Sequence, residues 1–136
     1  MVLIKLLKAM LDSKGFDYIE RDGTVQMMMS AGGHKWNAAF TADKEGFLRY
    51  YGRYPMAVSA DREQAVLREL NRLNCSIRAG SFMIADGYPL FRYGVYIFDE
   101  FTAAESVADL LTVASAQTAA AWEDIQRAIL TDRVGK

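Results

Sequence analysis

The chain has one thiol and one imidazole, Cys75 and His34, and these are the residue types from which a nucleophile and its base are built. Cysteine-based catalysis needs the two in contact and a third group to orient the base. Cys75 falls at the junction between a helical and a strand pattern, where a lone cysteine reads as a small buried apolar residue. His34 follows Gly32-Gly33 and reads as an exposed turn residue. With one His and one Cys, a zinc site would have to be mostly carboxylate, so no metal is expected. Gly32-Gly33-His34-Lys35 lacks the glycine spacing and the Lys-Ser or Lys-Thr pair of a phosphate loop, and a strand pattern follows it, so it reads as a turn. The carboxylates Asp17, Glu20, Asp22, Asp99 and Glu100 are scattered, and Asp99, Glu100 and Glu105 lie where they would complement the positive end of a helix. Met27-Met28-Met29 offers adaptable contact surface, but alternate strand positions face opposite ways, so core packing is the preferred reading. No catalytic residue, cofactor or metal is expected; an enzyme built on Cys75 ranks third among the functional readings.

A second constellation is basic and aromatic. Arg49, Tyr50, Tyr51, Arg53 and Tyr54 interleave guanidinium groups with rings, an arrangement that can hold single-stranded nucleic acid or a small anionic ligand on a sheet. Against it stand sixteen basic and seventeen acidic residues, a net charge of −1 that removes the broad positive field of a nucleic-acid binder. Binding through Arg49 and Arg53 is therefore the alternative, not the leading, reading.

The elements that must position these residues are legible as changes of period. Length alone, 136 residues, sets one domain over 1–136, able to bury roughly two-thirds of its unfolded surface. The single cysteine excludes an internal disulfide and points to a reducing, cytoplasmic setting. Val2 to Leu11 is apolar but interrupted by Lys5 and Lys8, as in an amphipathic helix, and no stretch is long and apolar enough to span a bilayer. Leu3, Leu7, Met10 and Leu11 form one stripe of a helix over 2–14, ended by Gly15. Phe16 to Glu20, Val25 to Met29 and Lys35 to Thr41 read as a three-strand meander joined by Asp22-Gly23 and Gly32-Gly33. After a turn at Asp43 to Gly46, Phe47 to Tyr54 reads as extended. A second helix, capped by Ser59 or Asp61, buries Val66, Leu67, Leu70 and Leu73 and is released near Asn74. From Cys75 the period becomes two, through a hairpin turning at Asp86-Gly87, with Phe91, Tyr93, Val95 and Ile97 on one face and Leu90, Tyr96 and Phe98 on the other. Gly94 would let a ring or backbone approach closely.

The last helix opens with a capping box, Thr102 and Glu105, and repeats its apolar or small positions at Val107, Leu111, Ala114, Thr118, Ala121, Ile125 and Ile129. Leu110 to Trp122 contains no charge. A helix from Ala103 to Leu130 would be about 42 Å long, so it either breaks near Ser115 to Thr118 or overhangs its domain.

Leu70-Asn71-Arg72-Leu73-Asn74, Gly80-Ser81-Phe82-Met83-Ile84, Phe91-Arg92-Tyr93-Gly94-Val95 and Glu105-Ser106-Val107 together resemble the YbjN family of bacterial sensory transduction regulators, with weaker agreement from Leu6 to Leu130. The resemblance implies an α+β fold like that of type III secretion chaperones, in the order α-β(3)-α-β(2)-α, an antiparallel sheet with flanking helices. It also implies a cytoplasmic protein that pairs with itself and has a chaperone-like or adaptor role without catalysis. The expectation is a homodimer that also binds an unidentified protein, not nucleic acid and not a membrane. Phe91, Tyr93, Val95, Leu111, Ala114 and Thr118 are the expected partner-binding residues.

Overall fold

The computed structural model describes residues 3–130. The expected helix start at Val2 and the chain's last six residues lie outside them. Helix α1 (Leu3–Ser13) leads into strands β1 (Ile19–Arg21), β2 (Thr24–Ala31), β3 (His34–Ala42) and β4 (Phe47–Arg53). A 3-10 turn at Ala60–Arg62 opens α2 (Glu63–Ser76), followed by the hairpin β5 (Ser81–Ala85) and β6 (Tyr88–Tyr96), then α3 (Glu100–Ala120) and α4 (Trp122–Leu130). The six strands form one antiparallel sheet in the order β1-β2-β3-β4-β6-β5. The fold is α+β as expected, with four strands rather than three before α2, because Phe47 to Arg53 pairs with both β3 and β6 and is the sheet's fourth strand in order.

Two-residue turns set the registers. Asp22 and Asp86 hold φ of 54° and 52° and are followed by Gly23 and Gly87 at 78° and 81°. Two left-handed residues in succession give the mirror-image turn whose twist matches that of paired strands. The helix ends follow local chemistry too. The chain leaves α1 through Gly15 at φ 76°, where the Phe16 N–H donates to the Leu11 carbonyl at 3.0 Å. Helix α3 is capped by Asp99, whose Oδ1 accepts from the Thr102 N–H at 2.9 Å, so the cap lies three residues before the Thr102 box expected from sequence.

Helix α2 runs past Asn74 to Ser76. Asn74 does not release the helix but faces the sheet edge: its amide donates to the Phe82 carbonyl at 3.1 Å and accepts from the Phe82 N–H at 2.7 Å. One side chain thus occupies the backbone pair that an added strand would use on β5.

All the helices lie on one face of the sheet. Helix α3 crosses β2, β4 and β6, with α1 beside it against β3, while α2 lies against β5 and α4. Beneath them Val25, Met27, Trp36, Phe40, Leu48, Tyr50, Phe82 and Phe91 meet Leu7, Leu11, Val66, Leu70, Val107, Leu110 and Ile125 in one core. Leu67, expected in that core, is exposed, and Leu110 takes the buried place given to Leu111.

The core contains one polar knot. The Trp36 indole N–H donates to the Tyr50 hydroxyl at 2.7 Å, which shares a hydrogen bond with the Thr118 hydroxyl at 2.8 Å. Thr118 also donates to the Ala114 carbonyl at 2.7 Å, and its own carbonyl accepts from Tyr54 at 2.8 Å. Tyr54 therefore draws on the backbone of the last α3 turn, and the long helix bends there into α4 through Ala121, a few residues beyond the expected break. Gly52 makes room for this: a Cβ on it would collide with the Tyr50 hydroxyl, so the phenol can lie back along its own strand.

Burial raises the Tyr50 phenol to about 12, against a tempering contribution from the Thr118 and Trp36 hydrogen bonds, and raises Tyr54 as well. The folded state holds these protons more tightly than the unfolded chain, so their contribution to stability is complete below pH 10 and is lost as pH rises from 10 towards about 12. Tyr50→Phe leaves the Trp36 donor without an acceptor and should lower stability by about 1–3 kcal/mol. Denaturant midpoints of the two proteins at neutral pH, then at rising pH with phenolate absorbance followed in parallel, check both the loss and the alkaline slope.

Candidate functional site

Stacking every helix on one side leaves the other face of the sheet uncovered. Directly paired residues share a face, so the registers define its membership: Met28 and Asn37; Ala39 and Tyr51; Tyr51 and Arg92; Phe47 and Tyr96; Arg53 and Leu90. Tyr50, Tyr54 and Phe91, which alternate with these residues, are wholly buried on the helical side. The interleaved run Arg49 to Tyr54 is thus divided. Its arginines and Tyr51 lie on the bare face, while Tyr50 and Tyr54 carry the core.

The bare face is basic. Arg21, Lys35, Arg49, Arg53 and Arg92 lie on it, and no strand position on it holds Asp or Glu. Glu20, the only acidic residue within a strand among the described residues, faces the helices and accepts from the Lys8 ammonium at 2.6 Å. That hydrogen bond raises the Lys8 pKa above its ordinary value. The other described acidic residues sit on helices and in turns and loops, which accounts for a near-neutral chain with a one-signed sheet face.

Two of the guanidinium groups rest on rings. Arg49 lies over Phe47 at 4.8 Å from the ring centroid, and Arg53 over Tyr88 at 4.4 Å. Such contacts contribute about 0.5–1 kcal/mol at exposed sites; they hold long side chains flat against the sheet instead of leaving them to sample solvent. Gly94 is the seat of this arrangement, since a Cβ on it would collide with the Phe47 ring. The close approach expected at Gly94 is therefore made by a ring.

Among the described residues no carboxylate pairs with Arg49, Arg53 or Arg92. Two shallow depressions flank the Tyr51 and Arg92 pair. One of about 440 Å³ is bordered by Phe47, Arg49 and Arg92 over Gly94, and one of about 480 Å³ by Tyr51, Arg53, Gln26 and Asn37 over Ala39. Beyond Phe47 the face turns apolar: Tyr96 and Phe98 are 57% and 87% exposed with their rings stacked at 6.0 Å.

The residues expected to contact a partner fall differently. Phe91, Ala114 and Thr118 are wholly buried within the chain itself, and Tyr93, Val95 and Leu111 are half-buried against the core. Strand alternation explains the hairpin members: the odd-numbered set faces the helices, and the outward set is Leu90, Arg92, Gly94 and Tyr96. The Asp86-Gly87 turn makes the β5–β6 register legible and sets Arg92 opposite Ser81, but its place beside Tyr51 comes from the β4–β6 pairing, for which the sequence holds no local signal.

The candidate chemistry at Cys75 is not assembled. Cys75 is exposed in the last turn of α2, not buried as expected, and His34 opens β3 with its ring stacked on Trp122 at 4.4 Å and 9°. Met27 is buried, Met29 half-buried against the core and Met28 exposed on the bare face. Asp43 and Asp99 spend carboxylate oxygens on backbone N–H groups of their own turn and helix start. Among the described residues no group of three metal-binding side chains comes together, and no helix is long and apolar enough to cross a membrane.

A model of the YbjN family, described as "Putative bacterial sensory transduction regulator", matches residues 4–127. Two solved structures are similar. One is described as YbjN, a "putative transcription regulator" from E. coli, with a TM-score of 0.68 at 14% identity over 93% of both chains. The other is the Yersinia pestis type III secretion chaperone SycH in complex with a stable fragment of YscM2, with a TM-score of 0.49 at 18% identity over 85% of this chain and 98% of that one. No curated protein sequence matches.

Cys75→Ser should leave stability within about 0.5 kcal/mol of the parent, as for an exposed residue with no special role. The native parent should release one equivalent of chromophore from an aromatic disulfide reagent without denaturant. A thiol that reacts only after unfolding would contradict the exposed placement.

Proposed function

Since this chain belongs to the YbjN family and leaves one whole face of its sheet uncovered by its own helices, we propose that residues 1–136 form a single-domain, non-catalytic, protein-binding regulator or adaptor that works through that face. The observation that carries this reading is the division of labour along β4. Leu48, Tyr50 and Tyr54 are fully buried, while Arg49, Tyr51 and Arg53 alternate with them facing away from every helix. Half of a sheet's side chains are thus free of any role in the core, and they are an aromatic and arginine set, the composition enriched at protein interfaces. A cytoplasmic setting is part of the proposal, in keeping with a single free thiol.

Self-association belongs to the same reading but to another surface. A two-fold pairing through the bare face would set arginines against arginines, because an isologous contact repeats the same patch on both sides. The back of α3 has no such conflict. It is uncharged from Leu110 to Trp122, and Thr112, Ala116 and Ala120 are exposed there, with Leu111 half-buried beside them. Thr112→Glu with Ala116→Glu should halve the mass in sedimentation equilibrium with an unchanged helical signal, and an unaltered mass would remove α3 from any self-contact. In capture from the native host, Arg92→Glu with Tyr96→Ser should lose the proteins retained by the parent while the α3 variant keeps them. Equal retention by all three would count against the sheet face.

A further inference from the structure

Resting on the sheet-face reading above, we propose that the bare face docks an acidic polypeptide segment in extended form, with an apolar anchor at one end and carboxylates at alternate positions after it. The argument begins with spacing. Phe47, Arg49, Tyr51 and Arg53 are successive outward residues of β4, and Arg92 lies directly across from Tyr51 on β6. Outward positions of a strand recur every ~6.7 Å, the interval at which an extended peptide presents its own alternate side chains. Laid along β4, such a peptide meets aromatic carbon at Phe47 and Tyr96, then Arg49, then Arg92 beside Tyr51, then Arg53.

Charge selects the carboxylates. Three guanidinium groups without an acidic partner among the described residues border the two depressions, and a guanidinium fork matches a carboxylate in paired hydrogen bonds. Two of the three are already laid on rings, so less side-chain freedom is lost when the anion arrives. The exposed Tyr96 and Phe98 stack fixes direction, because it gives the Phe47 end of the row its largest exposed apolar surface, whereas the residues paired with Arg53 are Asn37 and a half-buried Leu90.

Single-stranded nucleic acid has a similar anionic interval, but two observations favour the polypeptide. A run of stacked bases needs several open ring faces in succession, and here Phe47 and Tyr88 each already carry a guanidinium, leaving Tyr51 as the ring between the arginines. The chain as a whole is at −1, without the surrounding positive field that draws in a polyanion.

The test uses the full chain and a fluorescein-labelled synthetic peptide of about ten residues, long enough to follow β4, with one Phe and three Glu at alternate positions separated by Ser and Thr. Anisotropy titration at low salt should show saturable binding that weakens as salt is added. Replacing Glu by Gln, reversing the order of the peptide, or substituting Arg92→Glu should each weaken it about tenfold or more. A peptide with Lys in place of the middle Glu alone should regain affinity for Arg92→Glu, a reversal that mere loss of structure cannot produce. Arg92→Gln serves if the Glu variant shows an altered circular dichroism spectrum, and it should lose affinity for the acidic peptide without gaining any for the Lys peptide. No binding of the Glu peptide at low salt, equal binding by the Arg92 variants, or tighter binding of an oligo-dT probe of matched length would overturn the proposal. If the acidic peptide fails while the Arg92 and Tyr96 double variant still loses host proteins, the face binds a partner of other chemistry. If both fail, the sheet-face reading falls with it.

Discussion

Four polar side chains in an otherwise apolar interior settle how the two layers of this protein meet. An indole N–H and buried hydroxyl groups lose their water on folding, and each left unpaired would cost on the order of 1–3 kcal/mol. Trp36, Tyr50, Tyr54 and Thr118 answer one another instead, within 2.7–2.8 Å. The partners come from β3, from β4 and the residue just past it, and from the last turn of α3, so satisfying them fixes where the long helix lies across the sheet and where it bends. A helix placed only by Val107, Leu110 and Ala114 could slide along a greasy surface; one that must bring Thr118 to Tyr50 cannot.

The other helices share the side of the sheet on which α3 is so fixed. With α3 crossing the sheet and α1, α2 and α4 set beside it, every apolar helix stripe is used on the same face. The strands then have two kinds of neighbour, and alternate residues divide accordingly. Each face has a glycine that seats a ring: Gly52 for the Tyr50 phenol inside and Gly94 for Phe47 outside. Inside, the seated ring completes the polar knot. Outside, it becomes the bed on which Arg49 rests.

Much of this was legible before any coordinates. Two-residue Asp-Gly and Gly-Gly turns need left-handed backbone, so the hairpins were readable from dipeptides alone, and a stripe at helical spacing placed α1 and most of α3. What could not be read was long-range pairing. The buried face of the 88–96 strand looked like an interface because Phe91, Tyr93 and Val95 form a continuous apolar row, and a row of that kind looks the same whether a helix of the same chain or another protein covers it. Arg92, on the opposite parity, carried no local signal; its meaning comes from Tyr51, its cross-strand partner. Asn74 was misleading for a related reason. Its composition suits a helix end, yet its amide serves a strand edge eight residues later. Cys75 and His34 are reactive residue types, but one ends exposed on α2 and the other lies flat on Trp122.

The middle of α3 is chargeless from Leu110 to Trp122. Half of that helix is in fact hidden by the chain's own sheet, and the residual exposed strip consists of small residues such as Thr112 and Ala116. The larger unmet demand is on the opposite side of the molecule and is electrostatic as well as apolar. Arginines aligned on adjacent strands repel one another, and like charges directly or diagonally across a sheet reduce its stability. A face that retains three of them around Tyr51, with acidic residues confined to helices, turns and the inward Glu20, has forgone the neutralisation that a single nearby Glu would provide. Stability of the isolated fold gives no reason for that arrangement, whereas an arriving anion gives one: it supplies the missing charge and so makes binding more favourable than it would be to a face already neutralised from within.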